Sequence, residues 1–260
     1  MYTKAIVHGT GGINAAPSIL YRLNGRNDFS EFNSNQMIFM IAPLFRIKIC
    51  GVRCPEDVAA VAECGADAVG FNFYPKSIRY VGPQAITKLS EIAAKNRLLR
   101  VGVFVNETLD RLLATAASAE LDAIQLHGDE TIEFANAIKA ASGLRIIRAI
   151  RLPKGVLSAT SIETAADHWL EAGFRVLLDA DAGPRFGGSG EALDWKSIGQ
   201  WVSSRSPSIE WTLSGGLNTS NIGAAIRLTG ADSIDVASGV ESTRGVKDHR
   251  LIQSFVAAAR

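Results

Sequence analysis

The sequence has almost no excess of either charge: 27 Lys and Arg stand against 26 Asp and Glu, a net charge of +1. Without a basic surplus there is no electrostatic footprint for a nucleic-acid partner, although an anion site built from backbone amides would leave no trace in such a count. Cysteine is scarce too. Its three residues, Cys50, Cys54 and Cys64, cannot all pair and fall far below the density of a disulfide scaffold. A reducing, cytoplasmic setting is the expectation. Cys50 and Cys54 have no cluster of His or Cys beside them, so no metal is expected. Long apolar runs are also missing. The stretch 37–45 is far too short to span a bilayer, so no membrane partner is expected, and the start lacks the basic, apolar and small-residue order of a secretory signal.

What is present is an ordinary globular composition, 47% hydrophobic and 20% charged over 260 residues, enough for one large α/β barrel or two smaller domains. Residues 1–44 read differently from the rest. They are rich in Asn and Gly and show no sustained apolar period, and the cluster Gly9-Thr10-Gly11-Gly12 precedes no convincing helix. The expectation is a flexible or irregular N-terminal arm, dispensable for activity, whose natural start is Met40.

From residue 45 to residue 260 the pattern alternates between short apolar runs of strand type and amphipathic runs of helix type. Strands are expected to begin near Phe45, Ala68, Leu98, Ala123, Arg145, Arg175, Trp211 and Ser233. Helices are expected over 55–64, 84–94, 108–117, 131–139, 161–170, 195–202, 220–228 and 249–259. The first carries clear signals: Pro55 suits an opening turn, Glu56 and Asp57 complement the helix dipole, and Gly65 suits the exit. Eight strand-helix units in about 215 residues fit a single-domain (β/α)8 TIM barrel. A doubly wound open sheet is the alternative. It needs fewer strands and usually a glycine-rich first turn, whereas Gly51-Val52-Arg53-Cys54 holds one glycine.

In a barrel, chemistry belongs to the carboxyl ends of the strands. The first ends at Cys50, the fourth runs into His127, the sixth reaches Asp179, and the eighth carries Asp235. Three glycine-bearing loops fit a phosphate: Gly188, Ser189 and Gly190 after the sixth strand, Gly215 and Gly216 after the seventh, Ser238 and Gly239 after the eighth. Glycine lets backbone N–H groups approach an anion closely. A lone Cys is ordinarily a small buried hydrophobe and an Asp at a loop start an ordinary cap, so Cys50 and Asp179 gain weight only from sharing one mouth. A carboxyl group there can act as proton donor. Arg79, on the long loop after the second strand, can clamp a carboxylate in bidentate fashion. His127 and Asp235 fit hydrogen-bonding roles around the reacting groups.

The runs KICGVRCPEDV, GADAVGFNFYPKSIRYV, VGVFVNE, AIQLHGDE, GGSGEALDW, LSGGLN and DVASGVES, in this order over residues 45–260, resemble the phosphoribosylanthranilate isomerases of tryptophan biosynthesis. The resemblance implies an Amadori rearrangement of N-(5-phosphoribosyl)anthranilate without a cofactor, in a monomer or homodimer. Cys50 would be the general base and Asp179 the general acid. Arg79 would meet the anthranilate carboxylate, and the glycine loops would hold the phosphate. A free thiol is only a few per cent thiolate at neutral pH, so the site is expected to lower the Cys50 pKa. The pattern departs from the family at Glu191, Leu193 and Ala237. A sugar-phosphate isomerase of histidine synthesis would carry Asp in place of Cys50. A barrel that merely binds a phosphorylated ligand would have no need of Cys50 and Asp179.

Overall fold

The computed structural model describes residues 43–153, 155–180, 193–205 and 209–260 in full, and the backbone of three short strands near the start. Those strands, β1 (Thr3–Ile6), β2 (Ile19–Arg22) and β3 (Phe29–Glu31), form an antiparallel sheet within a compact unit of their own, Met1–Ala42.

The second unit, Pro43–Arg260, begins with β4 (Ile47–Cys50), α1 (Pro55–Glu63), β5 (Ala68–Asn72), α2 (Pro83–Lys95), β6 (Leu99–Phe104) and α3 (Leu109–Ser118). There follow β7 (Ala123–Leu126), α4 (Ile132–Ser142), β8 (Arg145–Leu152), α5 (Ala159–Glu171), β9 (Arg175–Ala180) and α6 (Trp195–Ser203). The chain closes with β10 (Trp211–Leu213), α7 (Ile222–Thr229), β11 (Ile234–Val236), the hairpin β12 (Glu241–Thr243) and β13 (Val246–Lys247), and α8 (His249–Ala258). Strands β4 to β11 are parallel and closed into a barrel, with β11 pairing back onto β4 through Ile234↔Ile47 and Asp235↔Lys48. The alternation legible in the sequence is thus a (β/α)8 barrel, and the open-sheet alternative falls.

The two-residue period of each strand sorts side chains to two sides of the wall. On β9, Val176 and Leu178 enter the large core between barrel and helices, whereas Leu177 joins Phe45, Ala68, Val101 and Ala123 in a separate apolar cluster. This plug fills the lower part of the barrel, so the polar residues of the strands gather at the opposite, carboxyl-terminal end. Burying each such Leu, Ile or Val side chain contributes roughly 1.5–3 kcal/mol, which fixes the strands that carry the site.

Helix α5 begins two residues before its expected start because Ser158 and Ser161 close a capping box, each side chain meeting the other's backbone N–H. The β12–β13 hairpin had no counterpart in the sequence reading. Its strands are three and two residues long, too short for a visible period.

Candidate active site

Cys50 is the last residue of β4 and Asp179 the penultimate residue of β9; both face one cavity at the carboxyl ends of the strands. Asn72, Arg79, His127 and Asp235 also line it, as do Ser214, Gly215, Gly216 and Ser238 from the loops after β10 and β11. Gly188, Ser189, Gly190 and Glu191 lie outside the described residues. Gly239 does not line the cavity but makes it possible. A Cβ there would sit 1.8 Å from the Leu217 carbonyl oxygen, so only glycine lets the loop after β11 pack onto the loop after β10.

Beneath the thiol lies a buried ion pair. Lys48 precedes Cys50 by two residues on the same face of β4, is fully excluded from solvent, and places its Nζ 2.7 Å from Asp235 Oδ1. Asp235 Oδ2 accepts a long bond, 3.5 Å, from Ser214 Oγ. Burial alone would lower the Lys48 ammonium, but Asp235 and Cys50 more than offset it and hold the pKa above its ordinary value. For the thiol the balance is opposite. Burial raises the Cys50 pKa above its ordinary value, with Lys48 and Lys247 pulling against that shift and Asp235 adding to it. The expected lowering is therefore corrected: desolvation at the barrel mouth outweighs two nearby ammonium groups.

Across the mouth, Asp179 Oδ1 accepts from the Ala180 backbone N–H at 3.0 Å and Oδ2 lies 3.3 Å from His127 Nε2. Gln125 Nε2 lies 3.0 Å from His127 Nδ1, so the amide and the Asp179 carboxyl flank the imidazole on its two nitrogens. The Nε2 contact is close without hydrogen-bond alignment.

Arg79 lies over Gly51, whose φ is +78° and where a Cβ would meet the Arg79 Cδ at 2.4 Å. Its Nε and Nη2 bind the two carboxylate oxygens of Glu241 at 2.7 and 2.8 Å. Burial by itself would raise the Glu241 carboxyl, yet Arg79, Lys247 and the Gly245 amide hold its pKa down at about 2. Lys247 Nζ also donates to the Ala237 carbonyl at 2.7 Å, and burial pulls its own pKa down against the attraction of Glu241.

Lys48, Glu241 and Lys247 were missed by the sequence reading. Lys48 carried a usable signal, since residues two apart on a strand share a face and Cys50 had already been placed toward the mouth. Glu241 and Lys247 sit on the hairpin that the pattern did not reveal. Among the described residues, no group of three or more His, Cys, Asp or Glu is arranged to hold a metal ion, and no helix is long and apolar enough to cross a membrane.

A closed parallel barrel with a thiol, a carboxyl group, an imidazole and buried cations gathered at the strand ends belongs to the class of barrel enzymes that work by proton transfer. Residues 47–258 match the family PRAI, N-(5'phosphoribosyl)anthranilate (PRA) isomerase. The N-(5'-phosphoribosyl)anthranilate isomerase of Thermotoga maritima is 40% identical over 217 residues, covering 84% of this chain and 99% of that protein. That of Magnetococcus marinus is 40% identical over 215 residues, 83% of this chain and 95% of its own length. A crystal structure of the Thermotoga maritima protein superposes with a TM-score of 0.71 at 40% identity, covering 83% of this chain and 98% of the other. A crystal structure of a phosphoribosyl anthranilate isomerase in complex with reduced 1-(o-carboxyphenylamino)-1-deoxyribulose 5-phosphate superposes at TM-score 0.68 and 37% identity, covering 83% of this chain and 98% of the other. The chain belongs to the N-(5'-phosphoribosyl)anthranilate isomerase family.

Proposed function

We propose that the family's reaction, the rearrangement of N-(5-phosphoribosyl)anthranilate to 1-(2-carboxyphenylamino)-1-deoxyribulose 5-phosphate in tryptophan biosynthesis, is carried out here by Cys50 as general base and Asp179 as general acid. The observation that supports this most is that both residues, from strands β4 and β9, open onto one cavity.

Protonated Asp179 gives its proton to the furanose ring oxygen. The bond from that oxygen to the anomeric carbon breaks as the nitrogen lone pair forms a C=N bond, leaving a protonated Schiff base. Its positive nitrogen acidifies the hydrogen on the adjacent sugar carbon, and the Cys50 thiolate removes it. The released electron pair forms a carbon–carbon double bond and neutralises the nitrogen. The enolamine then tautomerises to the ketone. Electrons are redistributed within one molecule, so the balance closes without an oxidant or reductant. Each proton transfer by a positioned side chain contributes about 10² to 10⁴ in rate.

Arg79 meets the anthranilate carboxylate through Nη1, the nitrogen that Glu241 does not engage. His127, by facing the Asp179 carboxyl, orients the acid. The phosphate is held by backbone amides of Gly215, Gly216 and Ser238, whose loops Gly239 allows to pack together; Gly188, Ser189 and Gly190 are assigned to the same group by sequence and lie outside the described residues. Asp235 acts from beneath, through Lys48. A cytoplasmic location and a monomeric or homodimeric state are part of this reading. The latter is supported by a relative described as monomers generated from the dimeric Thermotoga maritima isomerase.

Fluorescence of the anthranilate substrate tests the reading. Catalytic amounts of enzyme, without metal or nucleotide, deplete the signal progressively; a single stoichiometric change would mark a binding protein instead.

A further inference from the structure

Lys48 stands inside the barrel with no solvent exposure at all, which removes it from contact with a substrate. Taking an ammonium out of water is costly unless it is paired and hydrogen-bonded, and a hydrophobic residue would fill the position without that cost. Its surroundings show what the charge is for. Asp235, its register partner on β11, holds the ammonium at 2.7 Å, and Cys50 follows two residues further along the same face of β4, which sets its thiol beside the pair.

We propose that Lys48 is a positioning residue for the catalytic base: clamped by Asp235, its ammonium donates to the Cys50 sulfur from inside the barrel and stabilises the thiolate during proton abstraction. The inference rests on the reading of Cys50 as base. The other charges facing the thiol come from separate elements: Lys247 on β13, Asp235 on β11, and Arg79 on the loop after β5, already engaged by Glu241. Lys247 is likewise tied, by Ala237 and Glu241. Lys48 is the cation carried by the same strand face as the sulfur, so its distance to the thiol is set by β4 itself and not by a loop. Substrate entry can change the loops; it leaves this donor in place.

The test uses the full chain with Cys54→Ser and Cys64→Ser, which makes Cys50 the sole thiol. The rate of iodoacetamide alkylation is followed against pH by mass spectrometry, alongside the pH profile of kcat/KM. In K48M/D235N both buried charges go together, so no unpaired ion is left in the core. There the alkylation profile moves to higher pH, with about tenfold less modification at neutral pH for each unit of displacement, and the kcat/KM profile moves with it while KM stays. In Asp235→Asn alone the ammonium has the thiolate as its remaining anionic neighbour, and the profile moves the other way, to lower pH. A purely structural ion pair predicts no such opposed displacements. Profiles that coincide with the parent, or that move in the same direction in both variants, overturn the proposal; if the single variant does not fold, an unmoved profile in the double variant overturns it. Failure of the Cys50 assignment itself reads out separately, as full turnover in Cys50→Ala.

Discussion

The guanidinium of Arg79 grips both carboxylate oxygens of Glu241, so the long loop after β5 is tied across the mouth to the hairpin that follows β11. The pair is nearly excluded from water, with side-chain exposures of 8% and 3%. Removing one partner of such a pair leaves a buried charge uncompensated. Glu241→Gln is expected to destabilise the fold by about 3 kcal/mol and to raise KM, because the freed Arg79 no longer holds its place over Gly51. Denaturant unfolding and steady-state kinetics check the two effects.

Acid should erase that difference. The Glu241 carboxyl is depressed from 4.5 to about 2, so its contribution is fully present above the ordinary carboxyl range and is lost as pH falls toward the depressed value. The gap in Tm between the parent and Glu241→Gln is expected to be constant near neutrality and to shrink below about pH 4.5. Thermal melts over that range decide it.

The Cys50 thiol lies above its ordinary pKa in the free enzyme, so the thiolate is scarce at neutral pH and grows as pH rises. Accordingly kcat/KM is expected to climb from neutral into alkaline solution. A profile flat across that window would place the proton transfer on another group.

Gly239 has no room for a methyl group, since the Leu217 carbonyl oxygen occupies the space. Gly239→Ala must push the loops after β10 and β11 apart, and with them the proposed phosphate cradle. An increase of about tenfold in KM, roughly 1.4 kcal/mol, with a smaller change in kcat is expected. Isothermal titration with a phosphorylated product analogue provides the independent check.

The arm makes its own prediction. The family match starts at residue 47, and the Thermotoga maritima relative aligns over 99% of its length while covering 84% of this chain. A truncation beginning at Met40 retains Phe45, which plugs the barrel interior, and is expected to keep the parent's turnover.

How much of this the sequence shows follows from the range of each interaction. Every barrel strand and helix was legible because its apolar period is local and repeated, and Cys50 and Asp179 were legible as strand-end residues. The Lys48–Asp235 pair spans 187 positions in the chain and the Arg79–Glu241 pair 162, so only the closed barrel brings them together. The net pKa of Cys50 was misjudged for a related reason. The sequence names the cations nearby but does not measure the desolvation against which they work.

The central claim concerns two proton-transfer groups at one mouth, and single-turnover rates of Cys50→Ala and Asp179→Asn test it most directly. Each is expected to lower the rate by about 10² to 10⁴ while product affinity, measured by titration, stays close to the parent's. Near-parental turnover in either variant would contradict the assignment.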